Sequence, residues 1–230
     1  MGTLSRSYLF IPGNTPGMLQ NLDVFEADTV ILDLEDSVVS FDKDAARTLV
    51  RNFLEKYTFE HTEIFIRIND ASSPFFLEDV AATKDLPIQG YVLPKALPKD
   101  IQKLMTLTNK CIIPIIESAM AVLKMEDIAM LDSVSGLLLG GEDLTKELGI
   151  NRTLLGNEIL FTRSKLVLVC NAYNKDSIDT PWVDKDNLDG LLDDTMNAKN
   201  LGFTSKSSIH PNHVEIINTA FTPSEREILE

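Results

Sequence analysis

With 35 acidic residues against 21 basic ones in 230, the chain carries a net charge of −14, which argues against a broad nucleic-acid surface, because duplex binding leans on Lys and Arg neutralising phosphates. Apolar residues at 44% and charged ones at 24%, with ten prolines and eleven glycines, describe an ordinary globular protein and not a disordered or fibrous one. No stretch reaches the ~18 uninterrupted apolar residues of a membrane span; Cys111 and Cys170 sit in apolar runs without a CxxC, and the N-terminus lacks a signal-peptide layout, so a cytoplasmic protein with reduced thiols and no membrane partner is expected.

Along the chain, short β-rich apolar runs alternate with longer segments of helical periodicity, the pattern of a parallel βα-repeating sheet. The first run, SYLFIPG (7–13), reaches Asn14 and gives way to a helix over 16–25. TVILDLED (29–36) is apolar but for Asp33 until it ends in Glu35 and Asp36. It reads as a strand buried on both faces, and its terminal carboxylates need a cation or hydrogen-bond donors in return for leaving water. A helix over 42–56 follows, with Asp42 placed to cap it. EIFIRIN (63–69) carries Arg67 among apolar neighbours and precedes a helix over 75–83. GYVLPK (90–95) ends in Lys95, and Pro98 marks the start of a helix over 99–108. CIIPIIES (111–118) ends at Glu117, ahead of a helix over 119–131. GLLLGGED (136–143) ends in Glu142 and Asp143, with the next helix over 158–173. SIDTPW (177–182) passes Asp179, a helix over 188–200 stops at Gly202, and TSKSSIHP (204–211) holds Lys206 and His210. Eight strands with intervening helices point to a compact (β/α)8 TIM barrel occupying residues 1–230 as a single domain. An open doubly wound sheet is the alternative, and it requires a reversal of strand order.

In a parallel barrel the catalytic groups gather where the strands end, and here a polar residue recurs at every strand end. Glu117 and Asp143 each follow an apolar run; a shared cation would resolve their desolvation, and two carboxylates with open coordination suit Mg²⁺. No His stands at metal-ligand spacing, which disfavours zinc; the alternative pairs each acid with a Lys or Arg of the mouth. Arg67 either grips a substrate carboxylate or forms a salt bridge with Glu35 or Glu117. GNTPGM (13–18) either offers backbone N–H groups to an anion or is simply a tight connection. His61 and His213 read as surface residues and His210 as a structural hydrogen-bonder. No Ser-His-Asp or Cys-His arrangement supports nucleophilic catalysis.

Taken in order, RSYLFIPGNTPGML, ADTVILDLEDSV with KDAAR after it, IRIN, LPK, PIIESAMAVL, LLLGGEDLTKELG, IDTPW and SKSSIHPNHVEIINTAFTPSEREI resemble the citrate lyase/malyl-CoA lyase (HpcH/HpaI-like) aldolase family, which includes the citrate lyase β-subunit. The resemblance implies a (β/α)8 barrel, a Mg²⁺ cofactor and cleavage of a citryl or related 3-hydroxyacyl thioester to a keto acid and an acyl thioester. It implies Glu117 and Asp143 as the metal ligands, Arg67 as the carboxylate clamp, and Glu35 and Asp36 beside them as catalytic support. Asn14 and Glu117 join Arg67 as substrate-binding positions, and Lys206 and His210 fall where the thioester carrier arm is met. Asp36→Asn should then weaken turnover more than Mg²⁺ binding. Implied partners are coenzyme A or an acyl-carrier subunit, a citrate lyase α-subunit and further copies of the chain, as a trimer. Two departures stand out: Ala121 and Ser205 occupy positions where the family often has glycine. The chain also stops at Glu230, where relatives commonly continue into helices covering the site, so a barrel without those lid helices is expected. A metal-dependent acyl-CoA thioesterase of the same family and a non-catalytic assembly subunit are the competing readings.

Overall fold

Among the residues 5–223 that the computed structural model describes, eight strands pair in parallel in chain order and β8 closes on β1. They are β1 (Ser7–Pro12), β2 (Thr29–Asp33), β3 (Glu63–Arg67), β4 (Gly90–Leu93), β5 (Cys111–Ile116), β6 (Gly136–Leu139), β7 (Asp176–Asp179) and β8 (Ser205–Ser208). The helices of the described residues are α1 (Pro16–Leu19), α2 (Lys43–Leu54), α3 (Phe76–Thr83), α4 (Pro98–Met105), α5 (Ala119–Leu123), α6 (Met125–Ala129), α7 (Gly141–Leu148), α8 (Leu160–Tyr173), α9 (Leu188–Leu201) and α10 (Val214–Phe221). The (β/α)8 barrel is therefore present and the doubly wound sheet is not. The resemblance beyond Pro223, from Ser224 to Ile228, lies outside the described residues.

The apolar runs are continuous because each strand is covered on both faces. Tyr8, Ile31, Phe65, Val92, Ile113, Ile115, Leu138 and Ile178 fill the barrel interior. Their alternates, such as Leu9, Ile11, Val30, Leu32, Ile64 and Ile66, pack outward under the helices. Strand periodicity of two thus decides which residue of each pair reaches the central axis.

Several strands stop earlier than the sequence suggests. β2 ends at Asp33 because its carboxylate accepts the N–H groups of Glu35 (2.8 Å) and Ser37 (3.0 Å), turning Leu34-Glu35-Asp36 out of the sheet. β6 ends at Leu139, and GGED opens α7 instead of prolonging the strand. α7 and α10 are helices beyond those the sequence pattern predicts. The expected helix over 16–25 is α1 followed by a 3₁₀ turn, Leu22–Phe25, and the one over 119–131 is broken at Lys124 into α5 and α6.

Candidate active site

The C-terminal ends of the strands open on a cavity of about 240 Å³ with an apolar floor of Phe10, Ile115 and Leu138 and a charged wall that includes Asp33, Arg67, Glu117 and Asp143. Asp33 and Arg67 are register partners on β2 and β3. Each stands two residues beyond an inward-facing side chain, Ile31 or Phe65, so both point to the axis. Arg67 Nε and Nη2 donate to the two Asp33 oxygens, both at 2.6 Å. Nη1 is left 3.3 Å from Glu35 Oε2 and 4.0 Å from Asp36, and the Phe10 ring lies 4.9 Å from the guanidinium carbon. Burial would push the Asp33 carboxyl up, but Arg67 outweighs it and holds Asp33 below the usual range. The Arg67 pKa is in turn raised against its own burial by Asp33 and Glu35.

Glu35 is buried, and its pKa is raised by that burial despite the opposing charge of Arg67. Its Oε1 lies 3.4 Å from Lys95 Nζ, while its Oε2 has no hydrogen-bond donor. Lys95 connects this acid to the next one. Its backbone is left-handed, with φ of 49°, a conformation that costs a residue with a Cβ ~1–2 kcal/mol. In that conformation its N–H donates to Glu117 Oε1 at 2.6 Å. Such strain, held next to a cavity-lining carboxylate, is a mark of a site shaped for chemistry.

Glu117 follows β5 in phase with inward-facing Ile115. Burial pushes its carboxyl up to about 7, with Glu35 and Asp143 adding to the rise and the Lys95 N–H opposing it. It is packed closely against the start of α7: a Cβ on Gly140 would lie 2.6 Å from Glu117 Cβ and 2.9 Å from its Oε2. Asp143 sits in the first turn of α7, where the positive end of the helix dipole favours a carboxylate. That helix start is tied on both sides, Gly140 N–H to Ile116 O and Gly141 N–H to Thr180 Oγ1, each at 3.0 Å.

The donor chemistry fits Mg²⁺. Glu117 and Asp143 present hard carboxylate oxygens to one cavity without His or Cys, and Glu117 is buried next to further acids, a surplus of negative charge that a divalent cation neutralises. Among the described residues no group of three or more His, Cys, Asp and Glu is placed to hold a metal ion, so the fit rests on the Glu117–Asp143 pair alone.

The other expected site residues lie elsewhere. Asp36 has a side chain 62% exposed. Asn14 is half-buried on the turn after β1, outside the residues lining the cavity. Lys206, expected at a carrier arm, has a side chain 0% exposed, and its three N–H donors go to Asp179 Oδ2, Asp194 Oδ2 and Thr180 O, each at 2.7 Å. An ammonium so saturated has no donor left for a ligand. His210 accepts the Asn212 N–H through Nδ1 at 3.3 Å, and it is Ile209 that lines the cavity. His213, expected at the surface, is buried with its ring 5.6 Å from that of His210. Asp33 and Lys95 join the site beyond the residues expected from the sequence. Asp33 was detectable as the one charged residue inside the buried strand TVILD, in phase with the axis-facing positions; the backbone of Lys95 left no trace.

A closed parallel barrel whose mouth brings an oriented guanidinium and two carboxylates to one cavity is the frame of a barrel enzyme. The family model for HpcH/HpaI aldolase/citrate lyase matches residues 6–211, and the chain belongs to that family. It is 31% identical to the citrate lyase subunit beta of Leuconostoc mesenteroides subsp. cremoris, covering 98% of this chain and 79% of the relative. It is 30% identical to the mitochondrial citramalyl-CoA lyase of Rattus norvegicus, covering 97% and 73%. The fold matches the citrate lyase beta subunit of Mycobacterium tuberculosis solved with oxaloacetate and magnesium, with a TM-score of 0.86 at 27% identity over 96% of this chain and 98% of that one. These relatives place the chain among the carbon–carbon lyases.

Proposed function

We propose that the chain is a Mg²⁺-dependent lyase of the citrate lyase β-subunit type, splitting a citryl or related 3-hydroxyacyl thioester into a keto acid and an acyl thioester. The carrying observation is the Asp33-oriented Arg67 lining one cavity with Glu117 and Asp143. Arg67, with one edge fixed by Asp33, offers Nη1 to the substrate carboxylate and so aligns the bond to be broken. Glu117 and Asp143 would hold the Mg²⁺, which when bound polarises the oxygen that becomes the keto group. Glu35, buried and raised in pKa, takes the proton of the 3-hydroxyl. The electrons of the broken carbon–carbon bond pass to the carbon beside the thioester, and the proton held by Glu35 returns to that carbon to give the acyl thioester. Asp36, exposed and 4.0 Å from Arg67, is the weaker candidate for taking the 3-hydroxyl proton.

The substrate arrives on coenzyme A or on an acyl-carrier subunit. The setting is cytoplasmic, which suits two free thiols. Exposed Leu154, Leu155, Phe161 and Leu168 at and before α8 support a homo-oligomer, taken as a trimer from the resemblance.

Purified protein with Mg²⁺ should release a keto acid from at least one of the citryl, malyl and citramalyl thioesters. Glu117→Gln should lower kcat/KM by about 100-fold and weaken Mg²⁺ binding by calorimetry. Keto acid from none of the three overturns the lyase reading, and free coenzyme A without an acyl-thioester product identifies a thioesterase. Undiminished Mg²⁺ affinity in Glu117→Gln removes that residue from the ligand set.

A further inference from the structure

Four buried charges, Arg163, Asp179, Asp194 and Lys206, lie outside the cavity, between β7, β8, α8 and α9. Arg163 donates through Nε and Nη2 to Asp179 at 2.9 and 2.6 Å and through Nη2 to Asp194 at 2.8 Å. Lys206 bridges the same two carboxylates at 2.7 Å and gives its third hydrogen bond to the carbonyl of Thr180. The Ser207 hydroxyl donates to the carbonyl of Asp179 at 2.7 Å. Two cations and two anions cancel, and a buried set of this kind adds little stability over apolar packing of the same volume. What it does supply is geometry: the backbone of Asp179 and Thr180 is gripped at both carbonyls.

Thr180 carries that fixed point to the candidate site. It is fully buried, and its Oγ1 accepts the Gly141 N–H at 3.0 Å. The contact has no slack, since a Cβ on Gly141 would lie 2.9 Å from the same oxygen. On the other side, Gly140 N–H is held by Ile116 O, the carbonyl just before Glu117. The first turn of α7 is thus suspended between β5, which delivers Glu117, and β7, which delivers Thr180, and Asp143 stands two residues further on.

We propose that Thr180 is a positioning residue: its hydroxyl, steadied by the Asp179–Lys206–Asp194–Arg163 knot, fixes the start of α7 and so sets where the Asp143 carboxylate stands relative to Glu117. This rests on the reading of Glu117 and Asp143 as the cation ligands. Thr180→Val keeps the shape and removes the acceptor, leaving Gly141 N–H unpaired, whereas Thr180→Ser keeps the oxygen.

In the metal-free protein, amide exchange at Gly141 and Leu144 should run about tenfold faster in Thr180→Val, with β1–β5 amides unchanged. Mg²⁺ should bind about tenfold more weakly by calorimetry, and Thr180→Ser should restore both. Gly141→Ala presses on the same contact from the helix side and should reproduce both losses, which keeps the test open if Thr180→Val does not fold. Wild-type exchange and Mg²⁺ affinity in Thr180→Val or Gly141→Ala overturns the proposal, as does an equal loss in Thr180→Ser. Faster α7 exchange in Thr180→Val alongside a wild type that binds no Mg²⁺ supports the anchor and overturns only the metal reading.

Discussion

A guanidinium at a barrel mouth serves as an anion clamp only if something decides which way its fork points, and for Arg67 that is Asp33. The carboxylate occupies the Nε–Nη2 edge at 2.6 Å on both bonds and also accepts two turn N–H groups, so one buried side chain ends a strand and aims a binding residue. Asp36 does neither, being exposed and 4.0 Å from Arg67. Asp33→Asn should therefore destabilise the protein by about 3 kcal/mol, the range for breaking a buried charge pair, and raise the KM for the thioester substrate by about tenfold. Asp36→Asn should shift stability by less than ~0.5 kcal/mol. Urea unfolding of both variants with steady-state kinetics checks this, and equal destabilisation by the two would mean that Arg67 is oriented by the whole acidic turn and not by Asp33.

At the scale of the element, α7 carries the argument. It starts at Gly141 with Gly140 as its N-cap, and Gly140 has an ordinary negative φ of −94°, so it is needed for space and not for backbone freedom. Gly140→Ala should drive its new Cβ into the Glu117 carboxylate, which it would meet at 2.9 Å, and abolish measurable Mg²⁺ binding by calorimetry. Gly17→Ala, where a Cβ meets nothing within 4 Å, should bind as wild type. The same helix shows where sequence reading ran short. GLLLGGED reads equally well as a strand with a polar end, because the switch to helical periodicity falls within the motif itself. Periodicity and the family motifs brought Arg67, Glu117 and Asp143 to one wall, since all three sit in or just after strongly apolar runs. They misplaced Lys206, because in the polar four-residue strand β8, SKSS, no apolar alternation says which face is which.

For the whole molecule, closing the barrel brings into one mouth acids that a net charge of −14 would otherwise keep apart, and their mutual burial ties stability to pH. Glu117 is raised from the usual 4.5 to about 7 in the folded protein. A carboxyl raised on folding contributes fully below its unfolded value, and that contribution is lost as pH rises through the folded one. Without metal, the stability tied to Glu117 should thus be present below about pH 4.5 and gone above about pH 7, a difference of about 3 kcal/mol at 1.36 kcal/mol per pH unit. Glu117→Gln escapes this penalty. In EDTA at pH 8 its thermal midpoint should exceed that of wild type by roughly 6–12 °C, and at pH 4.5 the two should nearly coincide. Saturating Mg²⁺ at pH 8 should raise the wild type alone and close the gap, since a cation bound at Glu117 favours its ionised form. A gap of the same size at both pH values would show that the variant is stabilised by its amide and not by relief of a buried charge.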